Sequence, residues 1–213
     1  QNVTGQAGAD TLVVAQTTTY TGTLALAGGT NVVTLVNGAD LGTATLTATG
    51  GAVNFTIATG ASVTMKVADH SLLVAGVVTA AGTETITLSD VGTISGDALI
   101  ENYVLANGAN TFSFTATTGS VTGGTGVDQI TTGPGQKTIN LGTGNDTITS
   151  FNGFVAGNAS ADTISGFVTG GSGDNYNAQF SLANGATTST NALSGIAPVN
   201  SALNATATAN DVI

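Results

Sequence analysis

Apolar residues recur along this chain at two spacings. Within short runs they alternate with polar ones: Val53, Phe55 and Ile57 form one such run, and Val63, Met65 and Val67 another. Thr43, Thr45, Thr47 and Thr49 alternate with small and apolar residues in the same way. Period two predicts strands with one buried face. The second spacing is longer. Ile130, Ile139 and Ile148 each stand eighth in three consecutive phrases of nine residues, Gly123–Thr131, Thr132–Asn140 and Leu141–Thr149. In each phrase a turn ends at a fourth-position glycine (Gly126, Gly135, Gly144), and a polar residue follows at position six (Asp128, Lys137, Asp146).

Looser copies cover much of the chain. Asp10, Asn31, Asp40, Glu84, Asn110 and Asp162 hold the sixth position of phrases beginning at Gly5, Leu26, Leu35, Thr79, Leu105 and Gly157. Asn110, Asp128 and Asp146 are two phrases apart in succession, which predicts that they stack on one edge, with Lys137 on the opposite edge. Self-similarity at a fixed period predicts a solenoid whose units bury their anchors against their neighbours. The expected fold is therefore all-β, a parallel β-helix or β-roll with an irregular β-rich N-terminal part. Three regions are expected: 1–115, irregular and β-rich; 116–180, the regular roll; and 181–213, an Ala/Asn/Thr-rich extension or assembly segment. Ser71–Val78 reads as a strand buried on both faces, since a helix there has no convincing caps.

Composition narrows the function. The 213 residues include twelve acids against two lysines, no Arg and no Cys, for a net charge of −10. Nucleic acid is a poor partner for such a chain, because neutralising phosphates needs Lys and Arg. Hard divalent cations, which take oxygen ligands, suit it. No apolar run reaches the ~18 residues of a membrane span. Absence of Cys fits an extracellular protein held together by other means. The chain begins at Gln1 and ends on Asn-Asp-Val-Ile, a form of the repeat, and reads as a mature or excised piece of something longer.

The phrase Gly-Gly-x-Gly-x-Asp-x-apolar-x resembles the RTX, or haemolysin-type, calcium-binding nonapeptide. That resemblance implies a β-roll with calcium (Ca2+) held between turns by carboxylates and backbone carbonyls. It also implies a secreted protein, of the kind exported by bacterial type I secretion, with surface-layer and filament-forming relatives. Carried onto this chain, the metal ligands are Asp128 and Asp146 with the carbonyls of Gly124, Gly126, Gly142 and Gly144, and Asp162 as a further candidate. Lys137 departs from the pattern: an ammonium cannot ligate calcium and instead donates to carbonyl oxygens a metal would engage. The competing reading of each Asp is an Asx turn closed by its own side chain.

No catalytic set stands out, and the chain is expected not to be an enzyme. Asp69, His70 and Ser71 assemble acid, imidazole and hydroxyl only in sequence, and His70 reads as a surface or loop residue. Paired threonines such as Thr85 and Thr87 keep no constant period, so β propensity explains them. The expected function is an extracellular structural solenoid that assembles head to tail with copies of itself into a surface layer or filament. Cell-surface polysaccharide is a further candidate partner. Two alternatives stand beside it: an adhesin or ice-binding module, and the calcium-binding tail of a larger secreted enzyme.

Overall fold

The computed structural model describes residues 2–15, 19–133, 135–150, 163–165 and 175–178. In chain order the first strands are β1 (Val3–Thr4), β2 (Thr11–Val14), β3 (Thr19–Leu26), β4 (Gly29–Leu35), β5 (Asp40–Ala48), β6 (Gly51–Ile57) and β7 (Ser62–Met65). One helix, α1 (Val67–Ala75), precedes β8 (Val77–Thr79), β9 (Thr85–Leu88), β10 (Thr93–Ser95), β11 (Asn102–Val104) and β12 (Thr111–Ser113). The rest are β13 (Gly119–Thr122), β14 (Gln129–Thr131), β15 (Lys137–Asn140), β16 (Thr147–Ser150), β17 (Thr163–Ser165) and β18 (Asn175–Ala178).

All the described strand pairs are parallel, and the chain visits its sheets in alternation. One nine-stranded sheet, β1-β3-β5-β7-β9-β11-β13-β15-β17, runs the length of the described fold. Facing it, a four-stranded sheet β2-β4-β6-β8 serves the N-terminal half and a five-stranded sheet β10-β12-β14-β16-β18 the C-terminal half. This is the expected parallel β-solenoid. The N-terminal part, expected to be irregular, is paired into the same nine-stranded sheet. The boundary drawn at residue 115 falls inside that sheet, where β11 pairs with β13. Residues 181–213 lie outside the described residues.

The period-two pattern decides which face each residue takes. In the nine-stranded sheet Val63, Ile86, Tyr103, Val121 and Ile139 are in register and all buried. In the five-stranded sheet Ile94, Phe112, Ile130 and Ile148 form the opposing buried column. The eighth-position isoleucines of the three consecutive phrases are thus the anchors that the pattern predicts. Tyr103, Phe112 and Phe114 stack in sequence, each pair of ring centroids 4.9 Å apart, and fill the core where these columns meet.

The segment expected to be a doubly buried strand is instead α1 followed by β8. Caps invisible in the local sequence explain the difference. Asp90, from the following coil, accepts the Val67 N–H at 2.7 Å and places a carboxylate at the helix N-terminus, where the helix dipole favours it. Asp69 Oδ1 accepts the Leu46 N–H at 2.9 Å, so the helix satisfies a strand amide that β7 is too short to reach. Gly76 ends the helix in extended conformation. A Cβ there would lie 2.1 Å from the Val53 carbonyl oxygen, so a side chain is excluded.

Phe112 has no exposure and packs between two aromatic rings. Phe112→Ala is expected to destabilise the fold by about 3–5 kcal/mol, the usual range for a large aromatic removed from a core. Thr138→Ala, on the exposed face, is expected to change stability by less than about 0.5 kcal/mol. Chemical denaturation of both variants checks the contrast.

Candidate metal centre

The sixth-position residues sit where each coil enters a strand, so strand pairing places them in columns. Gln129 and Thr147 are partners across β14 and β16, and Thr111 and Gln129 across β12 and β14. Asn110, Asp128 and Asp146, one residue ahead of each, therefore stack on the entry edge of the five-stranded sheet, as their spacing predicts. All three are buried.

Their side chains form a hydrogen-bonded ladder of one sense. Asp146 Oδ1 accepts the Asp128 N–H at 2.8 Å. Asp128 Oδ1 accepts the Asn110 N–H at 3.0 Å and Asn110 Nδ2 at 2.9 Å. Asn110 Oδ1 in turn accepts the Gly92 N–H at 3.3 Å, while its Nδ2 also donates to the carbonyls of Ala106 and Gly108. Each side chain thus satisfies an amide of the preceding coil. Turn amides outside the ladder of strand bonds are left without partners unless something reaches them, and here the next coil's carboxylate does.

A second set runs the other way. Asn107, third in its phrase, accepts the Thr125 N–H of the following coil at 3.0 Å, and Asn37 accepts the Ser62 N–H at 2.9 Å. In the phrase beginning at Leu105, positions three and six together tie the turn to both of its neighbours. The same device recurs at Asp10, whose N–H donates to Asn31 Oδ1, and at Glu84, which accepts from Gly60 N–H and donates its own N–H to Glu101. Asp40 is the exception: it closes an Asx turn onto the Gly42 N–H at 2.8 Å.

The glycines named as carbonyl ligands are packed coil on coil. Gly124 O accepts the Thr143 N–H at 3.1 Å and lies against the Gly142 Cα, where a Cβ would approach it to 2.1 Å. Gly126 O lies against Gly144, which has φ +151° and whose added Cβ would approach it to 1.6 Å. These turns need glycine both for their backbone and for close approach.

Does this edge fit a calcium ion? The donors are hard oxygens, as calcium requires. Two carboxylates stand one rung apart, about 4.8 Å by strand spacing, so a cation would relieve their repulsion. Asp128 Oδ2 is buried and makes no hydrogen bond among the described residues. Yet one oxygen of each carboxylate already holds a backbone amide, and among the described residues no three His, Cys, Asp or Glu side chains gather around one point. The donor chemistry fits; the coordination shell would draw on Asp128 Oδ2, Asp146 and turn carbonyls.

Lys137 lies on the opposite edge, at the start of β15 in the nine-stranded sheet. Its ammonium donates to the Thr117 carbonyl at 2.9 Å and lies 5.4 Å from the Phe114 ring centroid. The ammonium therefore engages a turn carbonyl, as expected of it. Asp162 lies outside the described residues, but β17, which follows it, pairs with β15.

His70, expected on the surface, is 1% exposed. Its Nε2 meets the Tyr103 hydroxyl at 3.1 Å. Ser71 is exposed and bonds the Val67 carbonyl, and Asp69 faces Leu46. The three neighbours in sequence thus point to three different places. Burial pushes His70 down to about 4 and raises Asp69 above the ordinary carboxylate value, the Leu46 amide opposing the latter shift.

One feature escaped the sequence spacing altogether. On the outer face of the nine-stranded sheet, Ser62, Thr85, Asn102, Ser120 and Thr138 stand in register, beside Thr64, Thr87, Val104, Thr122 and Asn140. The five-stranded sheet carries a matching pair of columns, Thr93, Thr111, Gln129, Thr147 and Ser95, Ser113, Thr131, Thr149. Unequal coils hide the first pair from any search for a constant period. The loops absorb the differences and the strands stay aligned.

The chain matches no family model, no curated protein and no solved structure.

If the ladder is the main role of Asp128, Asp128→Ala orphans the buried Asn110 amide and costs about 1–3 kcal/mol. Asp128→Asn keeps the Oδ1 acceptor and is expected to stay within about 1 kcal/mol of the parent without calcium, since hydrogen bonds of this kind have small net worth. Thermal melts of the two variants in chelator check both values.

Proposed function

We propose that this chain is a structural β-solenoid of an extracellular assembly, a surface layer or filament, stiffened by calcium on the Asp128/Asp146 edge. The observation that carries the reading is where the acidic groups go. Glu84, Asp128 and Asp146 are spent on tying coil to coil through backbone amides. Meanwhile the described outer columns are uncharged. Such a molecule invests its polar chemistry in rigidity along its axis. Stacking further parallel strands onto either end would extend the same pattern head to tail, a contact that does not close and so yields fibres or sheets.

Calcium would act as a further tie between the coils of Asp128 and Asp146. Its affinity is expected in the range of extracellular modules, about 10⁻⁴–10⁻³ M. Isothermal titration is expected to show this binding in the parent and its loss in Asp128→Asn, which keeps the ladder. Electron microscopy of the purified protein is expected to show ordered polymers with calcium that loosen in chelator. A protein that stays monomeric at high concentration with calcium present overturns the assembly reading.

The paired outer columns favour one second reading. Hydroxyl and amide groups repeat every ~4.8 Å along the solenoid, in two lines set two residues apart on each strand and broken at Val104 in the nine-stranded sheet. A regular uncharged array of this kind suits an ordered surface such as ice or a crystalline glycan. Thermal hysteresis or ice adsorption without polymerisation would support that reading over assembly.

A further inference from the structure

Helix α1 immediately precedes β8, the last strand of the four-stranded sheet, and the five-stranded sheet begins at β10. The helix packs against β5, β6, β8 and β10, and so touches both facing sheets and the long one. Three side chains fasten it to three coils: Asp69 to the Leu46 amide, Asp90 to the Val67 amide, and His70 to Tyr103 of β11. Only the last depends on the protonation of an imidazole.

The hydrogen bonds around Tyr103 have a fixed direction. Its hydroxyl oxygen accepts the Asp97 N–H at 2.7 Å. The hydroxyl proton is then free to point at His70 Nε2, which accepts it as a neutral imidazole. A protonated His70 has no lone pair to offer. It would have to donate to the same oxygen, and the hydroxyl would lose the acceptor that the neutral imidazole gives it. A buried polar hydrogen without a partner is costly.

We propose that α1 is an acid-released latch between the two halves of the solenoid: protonation of His70 frees the helix from Tyr103 while the strands on either side stay paired. The charged groups around it do not rescue an imidazolium. Of the strands packed on α1 only β5 carries a charge, Asp40, whose carboxylate already holds Thr19 Oγ1 and the Gly42 N–H. Lys66 and Asp90 lie by Asp69, and Asp97 and Glu101 lie by the Tyr103 hydroxyl.

His70 has its folded value below its unfolded one, so its contribution is complete above about pH 6.5 and is lost as pH falls towards about 4. Asp69, raised by burial, acts in the opposite direction above 3.8. Hydrogen exchange of the full chain, corrected for intrinsic rates, tests the latch. Between pH 6.5 and 4 the opening of residues 67–75 is expected to rise by up to about tenfold per pH unit, one proton being taken up. The amides of β12, β14 and β4 are expected to remain protected. His70→Gln can still accept from Tyr103 and does not titrate, so its opening is expected to lose that rise. Asp69→Asn, which keeps the acceptor for Leu46, is expected to steepen it. Loss of protection in helix and strands together, or the same rise in His70→Gln, overturns the proposal. Should His70→Gln not fold, the His70 ring protons in the parent serve instead. A titration midpoint near 6.5 in the closed helix also overturns it.

Discussion

Everything in this fold depends on keeping successive coils in register through their turns. Strands do this automatically, because parallel pairing uses every amide. Turns do not, and a solenoid has as many turns as strands. Side chains close the gap: the sixth residue of a phrase reaches back to the amide of the coil before, and the third residue reaches forward. Asn110, Asp128 and Asp146 show the first sense, Asn37 and Asn107 the second. A carboxylate or carboxamide is the right length for the task, and a glycine-rich turn lets the coils come close enough. That is a physical reason for the phrase that holds with or without a metal.

The same constraint explains how the chain tolerates unequal coils. Extra residues are accommodated between strands, as loops or as α1, while the buried columns of Val63, Ile86, Tyr103, Val121 and Ile139 stay aligned. Helix α1 is one such insertion. It is held because Asp69 and Asp90 supply it with the coil-to-coil bonds that strands would otherwise make. His70 and Tyr103 then tie it into the aromatic core.

How far this could be read in advance follows from what is local. The anchors Ile130, Ile139 and Ile148 and the edge shared by Asp128 and Asp146 were legible, because period and position fix them. The donation by Lys137 to a turn carbonyl was legible from the chemistry of an ammonium in a ligand's place. Helix α1 was not, since its cap comes from Asp90, twenty-odd residues on. Nor was the burial of His70, whose partner Tyr103 lies in another coil. The outer columns of the nine-stranded sheet were hidden by unequal coil lengths: Ser62 meets Thr85, but Thr85 meets Asn102.

The central claim is that acidic side chains hold the turns of adjacent coils together. Amide hydrogen exchange at Asn110 and Asp128 tests it most directly, since neither residue lies in a strand. Both N–H groups are expected to exchange as slowly as the buried strand amides of Phe112 and Ile130. Exchange at the rate of an open turn, with the strands still protected, would contradict the account.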